Sequence, residues 1–120
     1  MNGGLTDKLD AVGNSISVVI DNNRIAVSDA VDAAAFTYDA TAKTLKGAGG
    51  LYMGQTSDAN GLASSATTTY ENTISIVEGN ANIVSGGAYL RYNSASNQTR
   101  FRYYKSSSYT GQKAVALYKK

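Results

Sequence analysis

The sequence predicts an all-β domain: a β-trefoil-like or other small closed barrel of about eleven short strands, with a β-sandwich as the alternative. Three observations predict it. First, alternating or β-branched segments recur along the chain between clusters of Gly, Asn, Asp and Ser, the punctuation of an all-β fold. Second, residues 88–105, AYLRYNSASNQTRFRYYK, form the strongest hairpin pattern. Leu90 and Tyr92 share one face of its first arm, with Tyr89, Arg91 and Asn93 on the other; Phe101 and Tyr103 oppose Arg100, Arg102 and Tyr104 on the second arm. Third, a weak repeat lays residues 44–54 (TLKGAGGLYMG) over residues 82–91 (NIVSGGAYLR) with one residue omitted, which places Tyr52 on Tyr89. Strands around Phe36 and Ile74 precede the copies, 38 residues apart, and a third begins near Val115, 41 residues further on, hence the three-fold expectation.

Taken in order, residues 2–14 read as a loose strand or loop anchored by Leu5, Leu9 and Val12. Residues 16–20 (ISVVI) and 24–27 (RIAV) flank the turn signal Asp21-Asn22-Asn23 and predict a hairpin. Residues 28–35 (SDAVDAAA) predict a helix of a turn or two, with Ser28 or Asp29 as cap. Strands are expected at 36–39, 44–46 and 51–55, a turn at 58–61, and a further hairpin at 73–77 and 82–84 about Glu78-Gly79-Asn80. Beyond the 88–105 hairpin and a loop at 106–111, residues 114–118 (AVALY) alternate as a last strand, with Lys119 and Lys120 as solvated ends.

At 120 residues the chain is one domain, residues 1–120, large enough for a single core. Cysteine, histidine, tryptophan and proline are absent. Without cysteine there is no disulfide framework or thiolate metal site, and without histidine the commonest general base and zinc ligand are missing. Only 17% of residues are charged, a composition leaning toward secreted β-proteins. All nine acids lie in residues 1–78, whereas residues 79–120 hold seven bases and no acid. Such asymmetry marks either a polyanion-binding surface or two halves that neutralise each other in the folded domain. No apolar run approaches the roughly 18 residues of a membrane helix, so no membrane insertion is expected, and no secretion signal is visible.

The motifs NGGL, LDAVGNSISV, LYMGQTSDANGLASS and IVSGGAYLRYNSASNQTRFRYYK, with the terminal KAVALYKK, resemble a family of small β-domains in secreted and surface proteins of gut-type bacteria. The resemblance spans essentially the whole chain. It implies an accessory or adhesion module beside nucleases or glycoside hydrolases. The missing secretion signal leaves two readings, a protein that stays inside its cell or, as preferred, a domain excised from a larger secreted protein with Met1 as an added initiator. Family members often carry an apolar strand before the Asn-Gly-Gly, so the first strand is expected to be missing, leaving an open edge for self-association or replaced by residues 114–118. The resemblance brings no catalytic residues.

Enzyme signatures are absent: there is no phosphate loop, no Gly-x-Ser-x-Gly elbow and no histidine-based zinc motif. The carboxylate pairs Asp7 with Asp10 and Asp29 with Asp32 lie in polar segments and read as solvated charge. Residues 58–61 (DANG) resemble the start of a calcium loop but lack the distal glutamate, and read as a turn. Asn97-Gln98-Thr99 has the form of a glycosylation acceptor and reads as a hairpin tip. The expectation is therefore a module with no catalysis, metal or cofactor. Its candidate ligand face is Tyr89, Arg91, Asn93, Arg100, Arg102 and Tyr104, which suits a glycan through stacking and planar hydrogen bonds. With Lys105 and Lys113 added, nucleic acid is the alternative, and a structural face the bland one.

Overall fold

The structure, a computed structural model, describes residues 1–119; Lys120 lies outside the described residues. Ten strands form three antiparallel sheets among them. β1 (Ile20–Asp21) and β2 (Arg24–Ile25) make an isolated hairpin, followed by α1 (Asp29–Ala34), whose first turn is capped by Ser28 Oγ accepting from Val31 N–H at 3.1 Å. β3 (Phe36–Asp39), β4 (Thr44–Gly47), β5 (Tyr52–Gly54) and β6 (Ala63–Ser65) run as one meander. β7 (Thr73–Val77), β8 (Asn80–Ser85), β9 (Ala88–Asn93) and β10 (Arg100–Tyr104) run as a second.

The two meanders match position by position. Lys46 pairs with Tyr52 in the first as Val84 pairs with Tyr89 in the second, the register the aligned repeat requires. Leu45 and Ile83, Leu51 and Ala88, and Met53 and Leu90 are buried pairwise, forming with Leu9, Leu62 and Tyr103 the one core between the sheets. Each central turn is covered by extended backbone lying too close for a side chain. A Cβ on Gly49 would meet the Leu5 carbonyl at 2.5 Å, and one on Gly86 the Gln55 carbonyl at 2.7 Å. Gly86 also adopts φ +61°.

Two expectations are corrected. No closed barrel forms among the described residues, and the third equivalent of the repeat is not a strand. Residues 114–118 form no continuous strand, because β8 and β9 pair only near their turn, at Val84–Tyr89 and Ser85–Ala88, and then part. The tail wedges into this split. Lys113 exchanges two 2.9 Å backbone bonds with Tyr92, and Val115 accepts from Ala81 at 2.9 Å. On the other flank, Gly61 and Tyr103 exchange 3.0 Å bonds, joining the approach to β6 to the outer edge of β10.

Candidate functional site

The alternation of the central hairpin places Leu90, Tyr103 and Phe101 toward the core and the candidate residues on the opposite face. That face is a ladder: Tyr89 stands opposite Tyr104, Arg91 opposite Arg102, and Asn93 opposite Arg100. The structure thus brings all six expected residues together. Facing arginines repel, so the ladder needs partners, and the rest of the chain supplies them.

Asp10, on the N-terminal loop, sits between two of the arginines. Its carboxylate lies 3.5 Å from Arg100 Nη1 and 3.2 Å from Arg102 Nη2. Arg100 also donates to Gln98 Oε1 at 2.7 Å. The Nε–H groups of Arg100 and Arg102 are buried without a hydrogen-bond partner, so this cluster is incompletely satisfied. Arg91 is only 7% exposed. It donates to Asn82 Oδ1 at 2.6 Å and to its own neighbour's carbonyl, on Leu90, at 2.9 Å. Its guanidinium carbon lies 4.8 Å from the Tyr109 ring centroid and 5.6 Å from that of Tyr89. Tyr109, from the 3-10 turn Tyr109–Gly111, stacks on Tyr89 with centroids 3.9 Å apart. Tyr104 is buried, and Asn93 Oδ1 accepts from Ala95 N–H at 2.9 Å. Most of the ladder is covered by the N-terminal loop and the 3-10 turn.

A concavity lies at the loop end of this hairpin. A shallow pocket of about 280 Å³ is lined by Tyr92, Asn93, Ser94, Ala95, Gly111, Gln112 and Lys113. Beside one aromatic side chain it offers amide, hydroxyl and ammonium groups and no carboxylate.

The other motifs resolve individually. Asp10 serves the arginines, while Asp7 is exposed; Asp29 and Asp32 lie in the first turn of α1. Asp58 Oδ1 accepts from Ser106 N–H at 2.7 Å and its second oxygen from the Ser106 hydroxyl, while Asn60 Oδ1 accepts from Lys105 N–H at 2.9 Å. These oxygens face N–H and O–H donors and clamp two loops together. The Ser106 hydroxyl and backbone bonds hold the Asp58 carboxyl below its usual range. No group of three His, Cys, Asp or Glu side chains arranged to hold a metal occurs among the described residues.

Sequence reasoning missed two buried asparagines. Asn14 Nδ2 donates to the carbonyls of Leu9 and Phe101 at 2.9 Å each, and its Oδ1 accepts from Phe101 N–H at 2.8 Å, so the side chain imitates a paired strand residue. Asn72 donates to Met53 O at 2.8 Å and accepts from the Tyr103 hydroxyl at 2.5 Å. Burial pushes that hydroxyl far above the usual phenol range, so it stays a donor. A signal existed: Asn14-Ser15-Ile16-Ser17-Val18-Val19 repeats as Asn72-Thr73-Ile74-Ser75-Ile76-Val77. No family model matches the chain, and no curated protein or solved structure matches it.

Proposed function

We propose that the chain is a non-catalytic accessory or adhesion module of a secreted or cell-surface bacterial protein that binds glycans at the loop end of its β9–β10 hairpin. The observation that carries this reading is the pocket around Tyr92, Asn93, Gln112 and Lys113. A pyranose presents an apolar face to an aromatic ring and hydroxyls to amide and ammonium groups, and this lining has both kinds of partner. The ladder of Tyr89, Arg91, Arg100, Arg102 and Tyr104 then serves as the rigid support that holds Asn93 at the pocket's edge. The nucleic-acid alternative is weakened because Arg100 and Arg102 share Asp10 and Arg91 is enclosed, so few cations are left to follow a phosphate backbone. For the architecture we keep only the internal repeat of the trefoil-like plan, without its closed barrel. What supports it is the match between the two meanders and the residue 14–19 repeat, which supplies a third, partial unit.

The test is a glycan array followed by titration of the best neutral hit at low and high salt. Asn93→Ala and Gln112→Ala should each weaken binding by about tenfold, and salt should change it little. No bound glycan, or binding untouched by both substitutions, overturns the reading.

A further inference from the structure

The pocket at the loop end of the β9–β10 hairpin has a bias in charge and in hydrogen-bond polarity. Asn93 Oδ1 is engaged by Ala95 N–H at 2.9 Å, which leaves the Nδ2 donors of that side chain for a ligand. The side chains of Ser94 and Gln112 make no hydrogen bond among the described residues. Lys113 is exposed, and its ammonium belongs to none of the three ion pairs among the described residues, Lys43–Glu71, Arg100–Asp10 and Arg102–Asp10. The lining thus holds one unpaired cation and no carboxylate.

The wall that carries this cation is fixed at the backbone. Lys113 N–H and C=O both bond to Tyr92 at 2.9 Å. One residue earlier, Gln112 N–H donates to the Tyr109 carbonyl at 3.0 Å, and the Tyr109 ring is itself stacked on Tyr89. The ammonium therefore projects from an ordered root. Around it the balance of charge is positive: Arg100 stands across from Asn93 in the register, Arg100 and Arg102 meet a single carboxylate, and residues 79–120 contain no acid.

We infer that the preferred ligand of this pocket is an acidic sugar residue, a pyranose carrying one negative charge that pairs with Lys113 while its hydroxyls meet Asn93 and Gln112. The inference rests on the glycan reading and narrows it to a substrate class. One unpaired cation matches one anionic substituent, whereas a polyanion needs a row of them. At about 280 Å³ the pocket is smaller than a drug-sized site, which suits a single terminal or branch residue. The charge has two chemical sources, the carboxylate of a uronic acid or a sulfate ester, and a lysine ammonium, as a point charge without a fixed fork, accepts either.

The test is a titration of the chain, followed by amide chemical shifts, with neutral, uronate and 6-sulfate methyl glycosides of the gluco and galacto series. At low salt an acidic glycoside should bind about fivefold tighter than its neutral counterpart, and the ratio should fall toward one at about 0.5 M salt. The uronate and sulfate arms tell the two sources apart. Lys113→Gln should bring the ratio to about one and Lys113→Arg should keep it; the Tyr92 bonds come from the Lys113 backbone, so both variants retain them. Neutral and acidic glycosides bound equally, or an acid preference that survives Lys113→Gln, overturns this inference and leaves the glycan reading standing. Binding of no glycoside overturns both.

Discussion

The first hairpin and the β7–β8 hairpin share a two-residue turn of positive φ and the same cross-strand register, and both leave the strand residues next to the turn exposed (Ile20 and Ile76), yet two pairs further from it Val27 is exposed whereas Ile83 is buried in the core. β8 continues through a tight Gly86-Gly87 turn into β9, which ties its hairpin into a four-stranded sheet. β2 is succeeded instead by α1, and among the described residues no third strand joins it. A hairpin of this kind is thus specified by its own residues, whereas its docking is specified by the next element in the chain.

The largest effect that tests this contrast is in the core. Ile83→Ala should cost about 3 kcal/mol in denaturant unfolding, whereas Val27→Ala should cost less than about 0.5 kcal/mol. Equal costs would mean that the two hairpins are equally docked. The asparagines that open the two repeats come next. Asn72→Ala leaves the Met53 carbonyl and the Tyr103 hydroxyl unpaired in the core, and about 2 kcal/mol should be lost. Asn14→Ala should cost a similar amount and in addition speed amide exchange through residues 16–27, since it releases one tether.

Asp10→Asn should be milder, about 1 kcal/mol, because both arginines retain some access to water. Its more telling readout is tighter, salt-sensitive binding to an immobilised polyanion once Arg100 and Arg102 lose their shared carboxylate. The smallest effect expected is at Asp58, which clamps the loop covering the Gly86 turn. Its folded pKa is depressed, so the clamp is at full strength above the unfolded carboxylate range and weakens as pH falls through the folded value. Protease nicking in the loops around residues 58 and 106 should rise at low pH in the parent and be pH-independent in Asp58→Asn.

Much of the fold was legible because turn chemistry and alternation act over a few residues. The strands at 36–39 and 73–77 and the cap at Ser28 stand where the sequence placed them. The candidate face was legible as a face, since Tyr89, Arg91 and Asn93 must alternate with Leu90. That it is covered was not. Asp10 reaches Arg102 across 92 positions from a loop with no periodic pattern, and Tyr109 comes from a Ser-rich segment that reads only as a connection.

By itself the sequence determined where the chain turns and which side chains share a face, since both arise from local φ/ψ preferences and the two-residue period. Tertiary structure alone decided which faces are buried. The AVALY tail alternates as well as any strand in the chain, yet it enters a split between β8 and β9 that leaves room for only single bridges. The burial of a face is set by partners distant in the chain, whose positions no local pattern encodes.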